Sequence, residues 1–341
     1  MKKIACTLTA CLSILIASGQ QKPQYTQYIL NNYILNPALS GIYNYTDVKL
    51  SYRSQWTGLK GAPVTDYFSI QGPIGKKDYK TTATSFQVPG QNPRGTYYGE
   101  NSTPSKPHHG VGLFILNDKT GLYNRFSADA SYAYHMGLSA RINLAVGFAA
   151  GITNISYDLS RVNFAEPGDP VVSGGNGHTL NSLRPDLSAG LWLYSTDYFV
   201  GLSAQQIIPQ QYTFSGKTAL EKATLIPHFF ATAGYGFQLS DDIKVTPSVM
   251  FKYVQGTPTA PQFDFNIKFQ YLDLLWAGGS YRYQDGYSAM VGFNVGNTFN
   301  LGYAYDFTTS HLNTVSGGTH EIIIGLLIGN HYSEKCPMPL W

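Results

Sequence analysis

Between Arg141 and Thr153 the chain reads RINLAVGFAAGIT, with Ile142, Leu144, Val146, Phe148, Ala150 and Ile152 alternating with Asn143, Ala145, Gly147, Ala149 and Gly151. Successive side chains of a strand point to opposite faces, so one face of this run is apolar and the other small. A helix would need apolar residues at three- and four-residue spacing instead. The run outlasts a soluble strand of ~5–6 residues and suits an outer-membrane strand of ~9–11. The same period-two pattern recurs at 46–56, 65–74, 109–117, 124–135, 140–153, 184–195, 197–206, 228–239, 242–254, 262–271, 274–284, 287–296, 298–307 and 319–329. These predict a transmembrane outer-membrane antiparallel β-barrel of about 14 strands, an even count that suits a bacterial barrel with both ends in the periplasm.

Alternation is cleanest in Phe126/Ala128/Ala130/Tyr132/Tyr134, Ile243/Val245/Pro247/Val249/Phe251/Tyr253, Phe263/Phe265/Ile267/Phe269/Tyr271 and Ile322/Ile324/Leu326/Ile328, which are expected to face lipid. Interleaved with them are Asp129, Lys244, Lys252, Asp264, Lys268 and Glu321. A Lys or Arg at the lipid midplane costs ~2–4 kcal/mol, so these charges are assigned to a polar lumen. Connection lengths give the orientation, because such barrels have short periplasmic turns and longer surface loops. The connections 136–139, Thr196, 240–241, 272–273 and Asn297 are tight, whereas 154–183, 207–227, 255–261 and 308–318 are long. The stretch 75–108 breaks the rule, and Lys76–Pro107 reads as an inserted loop that either plugs the lumen or meets a periplasmic partner.

The first nineteen residues have a basic start at Lys2 and Lys3, an apolar core from Ile4 to Ile16 and a small-residue site at Ala17-Ser18-Gly19, so 1–19 reads as a secretory signal cleaved before Gln20. Residues 20–45 then form an N-terminal plug or periplasmic segment, ending near Asn36-Pro37-Ala38, that lies under or inside the barrel of 46–329; a frayed terminus is the alternative. Residues 330–341 make a periplasmic C-terminal tail. Charged residues are 13% of the chain against a usual ~25%, with 26 Tyr and 35 Gly, and no apolar run beyond the signal reaches the ~18 residues of a membrane helix. This profile suits an outer-membrane barrel better than a secreted lectin or sandwich, whose water-facing side would carry more Lys and Glu. Loss of Lys2 and Lys3 would take the formal charge from +3 to +1, which gives no case for nucleic acid. Cys336 alone would remain in the mature chain, either as a buried thiol or as an intermolecular link.

Candidate chemistry is sparse. His108-His109 lacks nearby Cys or carboxylates at ligand spacing and reads as a strand-edge pair rather than a metal site. Asp118-Lys-Thr-Gly121 reads as a hairpin turn, and Gly174-Gly-Asn-Gly177 lacks the strand–helix frame of a phosphate loop. No Ser-His-Asp set or carboxylate pair is localised by spacing, so the expectation is a non-enzyme with no cofactor or metal.

The first hairpin is distinctive: Asn36-Pro37-Ala38-Leu39-Ser40-Gly41, then Tyr52-Arg53-Ser54-Gln55-Trp56-Thr57-Gly58-Leu59-Lys60-Gly61-Ala62-Pro63, then Gln71-Gly72-Pro73-Ile74. With Gly110–Gly121, Phe126–Tyr134, His320-Glu321 and Cys336-Pro337, it resembles the PorP/SprF family of type IX secretion system membrane proteins of the Bacteroidetes. The resemblance covers nearly the whole mature chain, and the insert 76–107 is its main departure. It implies an outer-membrane component of type IX secretion or gliding that captures an exported surface adhesin by its C-terminal sorting domain. It also implies other secretion components on the periplasmic side.

Within this motif, alternation puts Lys49, Ser51, Arg53 and Gln55 in the lumen and Val48, Leu50, Tyr52 and Trp56 outside, with Trp56 in the interfacial girdle. Arg53 can donate several hydrogen bonds at once and so could anchor an N-terminal segment or a partner strand. Candidate partner or lumen contacts are therefore Lys49, Arg53, Gln55, Trp56, Asn143, Gly147 and Gly151, with Asn36, Pro37 and Ala38 as the plug motif. The loops Ser156–Leu183 and Gln210–Ile226 are the expected partner-binding surface. The small wall at Ala145, Gly147, Ala149 and Gly151 should be filled by the N-terminal segment, the 76–107 insert or a partner chain, since protein interiors do not leave voids. A second function class is a channel for a hydrophobic solute, because long-chain fatty-acid transporters also have fourteen strands and an Asn-Pro-Ala plug.

Overall fold

Each strand pairs antiparallel with its chain neighbours, and the sheet closes on itself, in a computed structural model that describes residues 25–76, 82–84, 103–139, 141–158, 179–211, 224–255, 261–309 and 311–331. The wall comprises β1 Thr46–Ser54, β2 Val64–Ile74, β3 His108–Thr120, β4 Tyr123–Gly137, β5 Asn143–Asp158, β6 Thr179–Tyr194 and β7 Tyr198–Gln205. It continues through β8 His228–Tyr235, β9 Ile243–Val254, β10 Gln262–Tyr271, β11 Leu275–Arg282, β12 Gly286–Val295, β13 Phe299–Thr308 and β14 Thr319–Ile328. Closure comes from the first and last strands, with Thr46 opposite Ile328 and Arg53 opposite Glu321. Past Gly236, the direction of β8 resumes as Phe237–Gln238, still paired with β9. No helix among the described residues is long and apolar enough to cross a membrane.

Every expected strand is present, and the main differences are at strand ends. The β5–β6 hairpin keeps pairing through Asn154 opposite Leu183 and Ser156 opposite Asn181, where the sequence suggests a loop. Polar residues at these positions hide the period-two signal, yet the ladder needs only backbone groups to continue. In the other direction, β1 ends at Ser54, and Trp56 adopts φ of 48°, so Gln55 and Trp56 lie beyond the strand. The turn after β3 is Gly121-Leu122, while Asp118 is a strand residue whose carboxylate accepts from Thr65 Oγ1 at 2.6 Å. The proposed signal 1–19 and Cys336 lie outside the described residues, as does most of the 76–107 insert.

The two faces of the wall separate as alternation dictates. In β5, Phe148 is 58% exposed on the outside while Ala145 is fully buried inside. The rows Phe263/Phe265/Ile267/Phe269/Tyr271 and Ile322/Ile324/Ile328 are likewise exposed, and Asp264 and Glu321 between them are buried. Asp264 and Glu321 can stay inside because Arg282 and Arg53 pair them there; outside they would meet hydrocarbon.

The lumen is not empty. Residues 25–45 run through it as three short 3-10 turns, Gln27–Leu30, Asn32–Ile34 and Pro37–Leu39, and most of their side chains are buried. Ala38, Leu39 and Ile42 pack with Ala145, Trp192, Tyr194 and Phe199 of the wall. This segment therefore fills the space beside Ala145 and Gly147, while Ala149 borders a cavity. At Gly147 an added Cβ would fall 2.5 Å from Ala38 Cα, and at Gly190 it would fall 2.0 Å from Asn36 Oδ1. Gly151 is different, because there the near atoms are Ala128 O and Asp129 of β4.

Gly147→Val is expected to force the segment off this wall, with overpacking of ~1–3 kcal/mol, while leaving strand pairing intact. Planar-bilayer recording should then show a higher conductance than the parent, with the heat-modifiable gel shift of a folded barrel retained.

Candidate functional site

Arg53 of β1 sits at the seam where the barrel closes, and its guanidinium is buried. Nη1 donates to Glu321 Oε2 of β14 at 2.8 Å and to Thr26 Oγ1 at 2.8 Å, and Nη2 donates to Asp306 Oδ2 of β13 at 2.6 Å. Thr26 closes the circuit by donating Oγ1 to Asp306 Oδ2 at 2.7 Å and its backbone N–H to Glu321 Oε2 at 2.9 Å. Gln27 adds Nε2 to the Glu321 carbonyl at 2.8 Å. Arg53 is suited to this because its planar fork reaches several oxygens at fixed angles, which a lysine could not do.

A second anchor is Asn36. Its Oδ1 accepts the Ala38 N–H at 3.0 Å, capping the short turn that starts at Pro37, and its Nδ2 donates to the carbonyls of Leu191 and Leu202 at 2.9 and 3.2 Å. One amide thus serves the segment and two wall strands at once. Nearby, Gln205 Nε2 donates to the carbonyls of Ile34 and Leu35 at 2.9 and 3.0 Å, and Ser203 Oγ to Leu35 O at 2.6 Å. On the opposite wall, Ser131 Oγ lies 2.7 Å from Tyr33 OH and 2.8 Å from Ser40 Oγ, and Gln71 Oε1 accepts the Gly41 N–H at 2.6 Å.

The histidines behave unlike the strand-edge pair suggested by the sequence. His108 and His109 point to opposite faces: His109 Nδ1 meets Tyr132 OH at 2.6 Å outside, while His108 is buried and stacks on His135 with ring centroids 4.5 Å apart. His135 Nε2 donates to the Ser40 carbonyl at 2.8 Å, and His108 Nε2 lies 3.2 Å from the Gly41 carbonyl. These rings clamp the exit of the lumen segment. Among the described residues no cluster of three His, Cys, Asp or Glu could hold a metal.

The candidate residues therefore serve different contacts. Arg53, Asn36, Pro37, Ala38 and Gly147 join the wall to the segment, whereas Lys49 is buried in an ion pair with Asp47. Asn143 Oδ1 accepts the Ser105 N–H of the insert at 2.7 Å, Thr82 and Thr84 of the same insert are buried, and the Thr84 carbonyl accepts from Asn44 Nδ2. Trp56 instead donates its backbone N–H to Thr319 Oγ1 at 3.3 Å. Asp306, Gln205, Ser203 and His135 did not stand out in the sequence. Their inward parity was readable, but the path of the segment they meet was not.

Above the segment, toward the long loops, lies a cavity of about 70 Å³ floored by Tyr28, Ile34 and Leu35 and walled by Arg125, Lys252 and Arg282 among others. Of the long loops, residues 159–178 and 212–223 lie outside the described residues.

Replacing Arg53 by Met leaves Glu321 buried without its cation, a change expected to cost ~3–5 kcal/mol. Urea unfolding in phospholipid vesicles should move to lower urea concentration. Arg53→Met with Glu321→Gln should recover part of the loss, and protease cleavage within residues 25–45 should increase in the single variant.

No curated protein matches the chain. Among solved structures, it is similar to the Ralstonia pickettii toluene transporter TbuX, at 11% identity over 89% of this chain and 93% of that one, with a TM-score of 0.48. It is also similar to a Pseudomonas aeruginosa FadL homologue, at 10% identity over 91% and 95% with a TM-score of 0.44. The translocator domain of the autotransporter NalP from Neisseria meningitidis matches at 12% identity over 83% and 87%, with a TM-score of 0.38. Residues 17–326 match the family described as type IX secretion system membrane protein PorP/SprF, a span that runs from before the lumen segment into the closing strand. This chain is a member of the PorP/SprF family of type IX secretion system membrane proteins.

Proposed function

We propose that this barrel captures and anchors an exported cell-surface adhesin, holding its C-terminal sorting domain at the long-loop mouth. The observation that carries this reading is the filled lumen. Among the described residues, a segment fixed by Arg53, Asn36, Gln205 and the two stacked histidines leaves no wide passage, which supports the rim as the working surface of a secretion component of this shape. Loops that connect rigid strands are suited to such recognition. The insert, whose Ser105 is tied to Asn143, offers a site at the short-turn end for other secretion components. In this reading the protein is no enzyme, its signal is removed before Gln20, and both termini lie in the periplasm.

A channel for a hydrophobic solute is the second reading, and one observation favours it. On the outer wall an apolar concavity of about 870 Å³ lies over Ala233, Pro247 and Gly279, framed by Tyr198, Tyr235 and Tyr281. An inner cavity of about 20 Å³ shares Phe199, Ser248 and Val249 with it. The wall is thin and poor in bulk there, and Pro247 has no N–H to give the ladder.

Affinity purification from crosslinked native membranes separates the two readings. The anchor predicts recovery of a large exported protein bearing a C-terminal sorting domain, lost when 161–176 or 212–223 is replaced by a Gly-Ser linker. Unchanged recovery in both loop variants, with hydrophobic-solute uptake abolished by deletion of the gene, would overturn it in favour of the channel.

A further inference from the structure

The cavity above the lumen segment holds three cations, Arg125, Lys252 and Arg282, and two carboxylates, Asp129 and Asp264. Most of these charges are already engaged. Arg282 donates from Nε to Asp264 Oδ2 at 3.3 Å and from Nη1 to Asp285 Oδ2 at 3.1 Å. The other oxygen of Asp264 accepts from Gln262 Nε2 at 2.9 Å. Arg125 lies 3.9 Å from Asp186 and donates Nε to Ser127 Oγ at 3.3 Å. Lys252 is the exception. It points inward from β9 between Phe230 and Gln262, it is 9% exposed, and among the described residues its ammonium has no hydrogen-bond or ion-pair partner. A charge withdrawn from water to that degree is costly unless something pairs it.

The rest of the lining says what kind of group would do so. Ile34, Leu35, Phe230 and Met250 give the cavity an apolar side, and Tyr25 and Tyr28 an aromatic one. The cavity leaves about 70 Å³, room for a small group or the end of a chain and too little for a folded domain. The mouth faces the long loops, since Gln205 and Arg282 end their strands at that side and Gln262 begins its own there. We propose that this cavity is a binding site for a carboxylate carried on an apolar chain, with Lys252 as the group that pairs the carboxylate. Such a carboxylate can come from a single-chain amphiphile or from the apolar C-terminus of a polypeptide. The site does not depend on the anchoring reading, because it is built wholly within the barrel.

The test uses the full barrel in phospholipid nanodiscs, which avoids competition from detergent, with titration calorimetry referenced to empty discs. The probes are octanoate and the tripeptide Leu-Leu-Phe with a free carboxylate, set against methyl octanoate and the tripeptide amide. At least one carboxylate should bind saturably, at least tenfold more weakly to Lys252→Met and with near-parental affinity to Lys252→Arg. The neutral counterparts should not distinguish parent from Lys252→Met. Binding of octanoate alone assigns the amphiphile, and binding of the peptide alone assigns a chain terminus; both support the site. Failure of both carboxylates to bind, or equal binding by parent and Lys252→Met with the heat-modifiable shift intact, would overturn it.

Discussion

Everything inside this barrel depends on how buried charge is satisfied at the seam between its first and last strands. Glu321 cannot sit at full burial on β14 without Arg53, and Arg53 cannot sit opposite it without further acceptors. Asp306 supplies one, and the Thr26 and Gln27 amides cover the oxygens left over on Glu321. The lumen segment is therefore part of the solution to closing the sheet. A barrel interior offers little water to finish such networks, so a half-completed one would be worse than an apolar interior. The same logic runs up the lumen, where Asn36, Gln205 and Ser203 meet backbone carbonyls on both sides of the interface.

Much of the fold was legible because membranes impose a strict code. Lipid on one side and a lumen on the other make parity visible, and Phe263 to Tyr271 or Ile322 to Ile328 could hardly be anything else. The small inner face of β5 was legible too, as a place needing a neighbour, and Ala38 against Gly147 is that neighbour. The code fails where the strand leaves the bilayer. Asn154, Ser156 and Asp158 alternate with Ile155 and Tyr157 too weakly to mark a strand, yet they pair in register.

The candidate site was less legible, for a different reason. Parity tells which residues enter the lumen, and register along one hairpin tells which of them are neighbours. Neither tells what lies across the barrel. His108 meeting His135 could have been inferred from pairing of β3 with β4, since the two are directly opposite. Thr26 joining Asp306, or the Ser40 carbonyl reaching His135, depends on the path of a segment with no periodicity at all. That path is fixed by Pro37, by the positive φ of 70° at Gly41 and by the Asn36 amide that caps the third turn.

The unequal height of the wall has a mechanical consequence. β5 and β6 are 16 residues long and β4 is 15, while β7 beside β6 and β11 farther round the wall have 8. The taller strands exceed the ~9–11 residues needed to cross the bilayer and rise past it as a one-sided lip at the long-loop end. A pull along the barrel axis on that lip loads the β4–β5–β6 ladders in shear, so many hydrogen bonds share the force at once. A sideways pull would open the same ladders one rung at a time. The barrel is thus stiffest against tension directed straight out of the membrane, and its lip sets the direction in which it yields first.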